Sequence, residues 1–293
     1  MQKVAIIGPN GQLGSDLRQV LGAFKVTGLT HADLDVRDAK RARVVLADLR
    51  PDVVVNTSAF HKVDVCEDEP GPSFEVNAIG AYHLARLATE LGFTLVHFST
   101  DYVFDGRAHS PYTEDTLPNP LSVYGVSKLA GEHLISSFCS RHFIIRTTGL
   151  YGVAGASGKG GNFVETMIRL GRSGNPVRVV NDQVMTPTAT ADLAAAITTL
   201  LEREGQAGVE YGLYHVTSAG QCSWFEFARV IFNLSGLNVD LSPITSAESA
   251  AKARRPAYSV LDHARWMQAG LPELRHWHAG LTDYLRAKEH LTG

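Results

Sequence analysis

Short apolar runs alternate with longer amphipathic segments along the first half of the chain. The apolar runs are rich in Val, Ile and Phe and lack clean polar alternation, which is typical of parallel strands covered on both faces. We predict strands at Val4–Ile7, Lys25–Leu29, Asp52–Asn56, Thr94–Ser99 and Phe143–Arg146. We predict helices between them at Gln12–Leu21, Ala39–Leu49, Phe74–Leu91 and Ser122–Ser137. This alternation predicts an α/β fold with a doubly wound parallel sheet.

The pattern changes after about Tyr151. Five of the ten residues in Gly152–Gly161 are glycines, so this segment is predicted to be a mobile loop. Further helices are predicted at Asn162–Arg172, Ala189–Arg203, Trp224–Leu234, Leu261–Met267 and Ala279–His290, and strands at Val177–Val180 and Tyr211–Val216. The stretch Ser242–Ala257 contains two prolines and is predicted to be irregular.

Composition narrows the class of protein. With 27 basic and 30 acidic residues among 293, the chain has no basic surplus that would indicate a nucleic-acid partner. No apolar window is long enough for a membrane span, and the first residues do not match a signal peptide. The three cysteines are far apart, as in proteins of a reducing compartment. We therefore expect a cytoplasmic globular protein.

A glycine-rich turn, Gly8–Gly14, follows the first predicted strand and opens the first predicted helix. Its spacing is Gly-x-x-Gly-x-x-Gly, which lets the backbone approach a pyrophosphate at the helix N-terminus. The second strand ends in Leu29–His31 without an acid, and this favours NADPH over NADH as the cofactor. Asp35 and Val36 are candidates for contact with the adenine ring. The alternative is that Asp33 and Asp35 only cap a turn.

Small and polar residues follow the third predicted strand. Asn56–Phe60 holds small side chains that would let the backbone pass close to a ligand. Asn77 is a polar residue in an otherwise apolar helical stretch. It is predicted either to form hydrogen bonds across the sheet or to be solvated.

The residues that indicate chemistry follow the fourth predicted strand. Thr100 lies at its carboxyl end, where open α/β sheets bind ligands. Tyr124 and Lys128 are four residues apart and so share one helix face. A nearby ammonium is expected to lower the pKa of the phenol, which could then exchange a proton with a carbonyl or hydroxyl group. The alternative is a tyrosine that packs and a lysine that is solvated.

Two motifs carry a family resemblance: Ser99–Gly106 (STDYVFDG) and Tyr124–Glu132 (YGVSKLAGE). With them the chain resembles the extended short-chain dehydrogenase/reductase superfamily and, within it, the dTDP-4-dehydrorhamnose reductase family. Further similar stretches are the glycine turn, Arg50–Asn56, Val63-Asp64, Arg146–Thr148, Leu150–Gly152, Gly161–Phe163, Asn181–Gln183, Pro187-Thr188, Tyr214–Val216 and Arg255-Pro256. The resemblance implies NAD(P)H-dependent reduction of the C4 ketone of a nucleotide-activated 4-keto-6-deoxy sugar.

The resemblance also implies a division of the chain. A Rossmann domain that binds NAD(P) would cover residues 1–150, and the chain would re-enter it around residues 185–235. Residues 151–293 would mainly form a smaller substrate-binding domain.

Residue roles follow from the same resemblance. Tyr124 would donate the proton with Lys128 as its partner, and Thr100 and Asp101 would orient or polarise the substrate carbonyl. Cofactor contacts are implied for Gly8, Asn10, Gly11, Gln12, Leu13, Ser58, Ala59, Tyr124 and Lys128. Substrate contacts are implied for Val103, Phe104, Asn162, Gln183 and Arg255. An arginine matches the charge and geometry of a diphosphate.

The chain departs from the family pattern at Gly149, where the family commonly has a tryptophan beside the sugar, and at Met185, which replaces a glycine. We predict that Gly149 leaves a roomier sugar subsite and that Gly152–Gly161 folds in over it. The alternative is that Gly149 relieves a backbone turn while Tyr151 or Phe104 takes the place of the tryptophan.

Other functions and assemblies stay open at this stage. In related dehydratases a glutamate stands where this chain has Tyr102, which argues against dehydration but not against every epimerase. A non-catalytic subunit resembling the regulatory subunit of methionine adenosyltransferase is a further alternative, which the intact Thr100, Tyr124 and Lys128 disfavour. No match to the acidic residues of magnesium-bridged family dimers is found, so no metal is predicted, and the protein is expected to be a monomer or a homodimer.

Overall fold

The structure, a computed structural model, describes residues 1–155 and 161–291. Residues 156–160 of the predicted mobile loop lie outside the described residues. Strands lie at Lys3–Ile7 (β1), Lys25–Leu29 (β2), Val53–Asn56 (β3), Thr94–Thr100 (β4), His142–Thr147 (β5), Leu150–Tyr151 (β6), Val177–Val180 (β7), Val184–Met185 (β8), Thr188–Ala189 (β9), Gly212–His215 (β10), Cys222–Ser223 (β11) and Leu241–Ile244 (β12).

The α-helices vary from one to four turns in length. They lie at Gln12–Val20 (α1), Ala39–Leu49 (α2), Val63–Asp68 (α3), Pro70–Phe74 (α4), Gly80–Leu91 (α5), Val123–Phe138 (α6), Phe163–Arg172 (α7), Thr190–Glu202 (α8), Trp224–Leu234 (α9), Ala264–Gln268 (α10) and Trp277–Ala287 (α11). Within the described part of the chain, no helix has both the length and the apolar character needed to cross a membrane.

Six parallel strands form the central sheet in the order β10-β5-β4-β3-β1-β2. The predicted doubly wound α/β fold is confirmed. Because the chain leaves β1 toward β2 and then returns to β3 on the other side, the switch point lies between β1 and β3. Ligands of such sheets bind at the carboxyl ends of the strands next to this point. Ile7 lies opposite Asn56 at this edge, and Thr100 lies opposite Thr147.

Helices cover both faces of this sheet, which explains the lack of polar alternation in its strands. Val4 and Ile6 of β1 point into a core formed with α1 and α8, whereas Ala5 and Ile7 point into a second core formed with α2 and α5. All four side chains are at most 2% exposed. The side chains of β1 from Val4 to Ile7 therefore have an apolar environment whichever face they point to.

A third core lies around α7, α9 and α11 and contains Phe227, Ile231 and Leu281. Beside it β12 pairs in parallel with β7, so the prediction that Ser242–Ala257 is irregular is wrong at its start. Pro243 lies inside β12, which has one unpaired edge because this sheet has only two strands. A strand with an unpaired edge tolerates proline, which has no backbone N–H to donate.

The single helix predicted over Phe74–Leu91 is interrupted. Glu75–Ile79 forms a π-helical segment between α4 and α5. This segment contains Asn77, which is 1% exposed. Its amide accepts from the N–H of Phe60 (2.9 Å), donates to the carbonyl of Phe60 (3.0 Å) and donates to Oγ of Ser127 on α6 (3.0 Å). Asn77 therefore holds the loop after β3 against α6.

Candidate active site

The glycine turn after β1 provides an open helix N-terminus. Gly8 has a φ of +81°, and a Cβ there would lie 2.7 Å from Oγ1 of Thr57, so only glycine fits. Gly11 is the N-cap of α1 and makes no side-chain capping hydrogen bond, and Asn10 beside it is exposed. Thus no capping side chain at Gly11 covers the first N–H groups of α1. The residues present fit a pyrophosphate bound through the main chain.

Two of the predicted contact residues join the two halves of the chain instead. Oε1 of Gln12 accepts from the N–H of Gly152 (2.9 Å) and from Nδ2 of Asn162 (3.1 Å). Oδ1 of Asn162 caps α7 by accepting from the N–H of Glu165 (3.1 Å), and Nδ2 also donates to Tyr284 (3.2 Å). The side chains of Gln12 and Asn162 are therefore engaged in this junction. A pyrophosphate contact by Gln12 would come from its main-chain N–H.

A cavity of about 610 Å³ lies beyond the end of β2, on the side where an adenine would lie. It is lined by Asp35, Arg37, Asp38, Ala39, Lys40, Glu75 and Ile79. Asp35 accepts from Nη2 of Arg37 (2.6 Å), and this hydrogen bond is the main reason that the pKa of Asp35 is lowered. Val36 is buried in the adjacent core. Asp33, in contrast, caps a turn by accepting from the N–H of Thr30 (2.9 Å).

The loop after β3 lies against the glycine turn. Ser58 and Ala59 are half-buried, and the N–H of Ser58 would lie 3.5 Å from a Cβ on Gly8. Oδ1 of Asn56 accepts from both the N–H (3.1 Å) and the hydroxyl (2.6 Å) of Ser58. Ser58 is thus held next to the glycine turn. A residue that contacts the cofactor would need this position.

Thr100, Asp101 and Tyr124 come together at the carboxyl end of β4. Oγ1 of Thr100 donates to Oδ1 of Asp101 (3.0 Å) and also hydrogen-bonds the phenol of Tyr124. A Cβ on Gly125 would lie 2.3 Å from the carbonyl oxygen of Tyr102, so glycine lets α6 pack directly on the turn that follows β4. This places the rings of Tyr102 and Tyr124 edge to face, with centroids 5.5 Å apart.

The electrostatics of this cluster differ from the prediction. Burial raises the pKa of Tyr124, the charge of Asp101 adds to the rise, and the hydrogen bond with Thr100 opposes it. Lys128 was expected to lower this pKa, which is wrong for this structure. Its Nζ contacts the carbonyl oxygen of Phe98 (2.6 Å) and Nε2 of His97 (3.2 Å) instead. Tyr124 is therefore protonated at neutral pH, as a proton donor must be.

Arg255 lies at the side of the same cluster. Its Nη2 donates to both carboxylate oxygens of Asp64 (3.2 and 3.1 Å), and its guanidinium also hydrogen-bonds Tyr102. The Arg255 side chain is 23% exposed, so it is accessible from one side. Gln183 is buried and donates to Oγ of Ser246 (2.8 Å). The contacts thus connect Arg255, but not Gln183, to the tyrosines.

Val103 and Phe104 lie in the core beneath the site. Both are at most 1% exposed, and the Phe104 ring stacks on Tyr112 with centroids 4.2 Å apart. The guanidinium of Arg146 covers the ring of Phe104, 5.1 Å from its centroid. The resemblance implied that both side chains contact the substrate. Their burial does not support such a contact.

Gly149 does not open a subsite. Its φ is +60°, and a Cβ there would lie 2.9 Å from the carbonyl oxygen of Thr186 and 3.1 Å from Sδ of Met185. The predicted roomier subsite is therefore wrong, because this space is occupied. The backbone-turn alternative agrees with the structure, but the neighbour that fills the space is Met185 rather than Tyr151 or Phe104.

The roles of two residues of the site, His97 and Asp64, were not predicted. His97 is a buried histidine in an apolar strand, and it contacts both Lys128 and Asn56. A lone polar residue within the run Thr94–Ser99 was the only available signal. Asp64 pairs with Arg255 from a distant part of the sequence, and spacing along the chain carries no such information.

The parallel sheet, the glycine turn at its switch point, and Tyr124 with Lys128 on α6 define a Rossmann-fold oxidoreductase of the short-chain dehydrogenase/reductase class. The sequence model of the family described as "RmlD substrate binding domain" matches residues 1–290. The chain therefore belongs to this family, that of the dTDP-4-dehydrorhamnose reductases.

Individual relatives agree with this assignment. The chain is 41% identical over 290 residues to the spore coat polysaccharide biosynthesis protein SpsK of Bacillus subtilis, covering 98% of each chain. It is 41% identical to a dTDP-4-dehydrorhamnose reductase of Streptomyces griseus, over 95% of this chain and 91% of the relative. The crystal structure of the Bacillus anthracis dTDP-4-dehydrorhamnose reductase in complex with NADP is 36% identical, with a TM-score of 0.91, over 98% of this chain and 100% of that one.

Proposed function

We propose that the protein reduces the C4 ketone of a nucleotide-activated 4-keto-6-deoxy sugar with NAD(P)H, in the reaction that converts dTDP-4-dehydrorhamnose to dTDP-L-rhamnose. The observation that carries this proposal is the half-buried, protonated phenol of Tyr124, which Thr100 holds at the carboxyl end of β4. The names of the Streptomyces griseus and Bacillus anthracis relatives support the choice of substrate.

The proton of the reduction would come from Tyr124. NAD(P)H, when bound, supplies the hydride. As negative charge develops on the sugar oxygen, the phenol of Tyr124 would donate its proton to it, and Thr100 would hold this phenol in place through their hydrogen bond. Asp101 fixes the hydroxyl of Thr100 by accepting its hydrogen bond (3.0 Å).

Tyr102 supports reduction over dehydration. It occupies the place where related dehydratases carry a glutamate that moves a proton. Burial, more than the neighbouring charge of Asp101, raises the pKa of Tyr102 to about 12. A phenol with this pKa cannot act as a base at neutral pH.

The cofactor would lie across the switch point of the sheet. The main chain of Gly8–Leu13 would bind the pyrophosphate, the hydroxyl of Ser58 a ribose, and the cavity beside Asp35 the adenine. Arg37 and Lys40 line this cavity together with the carboxylates of Asp35, Asp38 and Glu75, so its charge does not decide between NADPH and NADH. The NADP bound to the Bacillus anthracis relative supports NADPH. The sugar would lie between this edge of the sheet and the elements that follow Tyr151, with the diphosphate near the guanidinium of Arg255.

A direct assay tests the proposal. Purified protein is mixed with a panel of nucleotide 4-keto sugars and with NADPH or NADH, and the loss of reduced nicotinamide is followed by absorbance. We expect stoichiometric oxidation with dTDP-4-dehydrorhamnose and a 6-deoxyhexose product identified by NMR. A change of sugar stereochemistry without net oxidation would indicate an epimerase, and no reaction with any sugar would contradict the proposal.

A further inference from the structure

A buried chain of hydrogen bonds connects the loop after β3 to α6. The hydroxyl of Ser58 donates to Oδ1 of Asn56 (2.6 Å), and Nδ2 of Asn56 lies 3.0 Å from Nδ1 of His97. Nε2 of His97 lies 3.2 Å from Nζ of Lys128. Asn56, His97 and Lys128 are each at most 2% exposed, so these polar groups depend on one another for partners.

The direction of each bond follows from one backbone group. The N–H of Ser58 can only donate, so the atom of Asn56 that it contacts (3.1 Å) must be the acceptor, Oδ1. The other atom, Nδ2, only donates, and it faces Nδ1 of His97. Nδ1 must then accept. A neutral imidazole whose Nδ1 accepts carries its proton on Nε2, and Nε2 points at Lys128.

The proton on Nε2 of His97 decides what Lys128 can be. An amine has a lone pair that accepts this N–H, whereas an ammonium has only donors. Donation from Nζ to the carbonyl of Phe98 (2.6 Å) is possible in either state. The arrangement therefore favours the amine.

The charged surroundings of Lys128 do not reverse this preference. On α6, Tyr124 lies one turn before Lys128 and is protonated, and Glu132 lies one turn after it. Glu132 favours the ammonium, but its carboxylate is paired with Arg146 from β5. Burial outweighs Glu132 and lowers the pKa of Lys128 to about 8. Burial, and then the charge of Lys128, keeps the pKa of His97 well below its ordinary value.

We propose that His97 is a positioning residue for the reduction: Asn56 fixes it in the Nε2–H form, and it stabilises the uncharged amine of Lys128. This inference rests on the proposed function for its purpose. After Tyr124 gives its proton to the sugar oxygen, the phenolate must regain one. Nζ of Lys128 contacts His97 and Phe98 rather than the phenol, so its proton would pass to the phenolate through a bridging water or hydroxyl. The electron pair left on Nζ then accepts the N–H of His97. Solvent restores the ammonium afterwards, so protons and charge balance.

The first test uses the cofactor-free protein and needs no activity. With 15N-labelled histidine, NMR should show His97 as the neutral Nε2–H form at the ordinary pKa of a histidine and above it. With 15N-labelled lysine, Nζ of Lys128, assigned by its loss in Lys128→Met, should titrate near pH 8. An Nδ1–H form of His97 would overturn the proposal even if every variant failed to fold.

The second test replaces the donor. In His97→Gln the side-chain carbonyl can turn toward Nζ and accept from the ammonium, so the midpoint of Lys128 should rise by roughly one pH unit, as expected for one buried hydrogen bond. His142→Gln is the matched control, because His142 is also a buried histidine of the sheet but contacts the carbonyl of Cys139. It should leave the midpoint unchanged.

Activity provides a separate readout. The alkaline limb of kcat should move upward with the midpoint in His97→Gln, while the KM for the sugar stays the same. A Lys128 midpoint that does not move in folded His97→Gln would overturn the role of His97. Absence of reductase activity in the wild-type protein would instead contradict the proposed function, and the NMR titration would still decide the inference.

Discussion

Arg146 on β5 forms a two-point ion pair with Glu132 on α6, one helical turn beyond Lys128. Nε and Nη2 of Arg146 donate to the two carboxylate oxygens (2.9 and 2.6 Å), and the side chains are 3% and 6% exposed. The hydroxyl of Ser99 on β4 donates to the same carboxylate. The face of α6 that carries Lys128 is thus fixed to two strands of the sheet.

Breaking this pair on one side should cost more than removing it. Arg146→Met leaves the carboxylate of Glu132 buried without its cationic partner, so we expect the free energy of unfolding to fall by about 3–5 kcal/mol. The double variant Arg146→Met/Glu132→Leu should recover part of this loss. Urea unfolding followed by circular dichroism measures both. A double variant less stable than the single one would contradict this expectation, because Glu132 would then be tolerated without the arginine.

Tyr124→Phe removes the proposed proton donor and keeps the ring. We expect turnover to fall by roughly 10²–10⁴-fold, the usual effect of a general acid, while cofactor affinity changes little. Steady-state kinetics and cofactor titration by fluorescence check this. Tyr82→Phe is the control, since Tyr82 packs on Phe138 on the outer side of α5. Near-normal turnover of Tyr124→Phe would exclude Tyr124 as the donor.

Gly11→Val tests the helix N-terminus as a pyrophosphate site. The backbone at Gly11 (φ −75°, ψ 170°) accepts a side chain, and a Cβ there would meet only the carbonyl oxygen of Gly8, at 3.5 Å. The variant should therefore fold normally but bind nicotinamide dinucleotides at least about tenfold more weakly, because the branched side chain occupies the anion site. Gly22→Val, at an exposed glycine with no neighbour within 4 Å, should change neither property. Unchanged affinity in Gly11→Val would mean that the turn is only structural.

Gly149→Ala should destabilise the fold rather than alter sugar selectivity. The positive φ costs about 1–2 kcal/mol, and the contact with the carbonyl of Thr186 adds about 1–3 kcal/mol. Gly92→Ala separates the two effects, because Gly92 has a φ of +80° and no neighbour within 4 Å. Urea unfolding should show a larger loss for Gly149→Ala than for Gly92→Ala. Equal losses would show that the space beside Gly149 can adapt.

Acid should destabilise the protein through His215, which is fully buried beside Arg146. Burial, and then the charge of Arg146, lowers the pKa of His215 from 6.5 to about 3. Above pH 6.5 the histidine is neutral in both states, so its contribution is complete there. As the pH falls below 6.5, the unfolded chain takes up a proton that the folded chain does not bind until about pH 3. At pH 5 this costs about 2 kcal/mol.

The measurement for His215 is the free energy of unfolding between pH 5 and 7. In His215→Gln the slope of this free energy against pH should decrease, at most by the amount that corresponds to the uptake of one proton on unfolding. A slope identical to that of the wild-type protein would show that other groups cause the acid sensitivity.

Local patterns were sufficient to predict the central sheet. The runs at Val4–Ile7 and Phe143–Arg146 differ from the observed strands by a residue or so at each end, because a doubly covered strand is apolar throughout. The common face of Tyr124 and Lys128 could also be predicted, because residues four apart on a helix lie on the same face. Asn162 and Ser122 were predicted inside helices but are N-caps, a difference that the apolar pattern cannot resolve.

Features that depend on distant parts of the chain could not be predicted. The strand at Leu241–Ile244 exists because Val177–Val180 offers it a partner, and its own sequence contains a proline. The direction of the Lys128 side chain depends on His97, on another element. The space beside Gly149 is filled by Met185, which arrives 36 residues later in the sequence. In each case the deciding neighbour is close in space and remote along the chain.

The strand order also sets a limit on how the chain can be divided. The outer partner of β5 is β10, which comes from residues 212–215, and α8 packs on α1. A fragment that stops near residue 150 would lack both, and it would present β5 as a bare edge to other fragments. If the second half of the chain were exchanged between relatives, part of the nucleotide-binding sheet would be replaced as well. The unit that can be recombined, in evolution or by engineering, is therefore the whole chain.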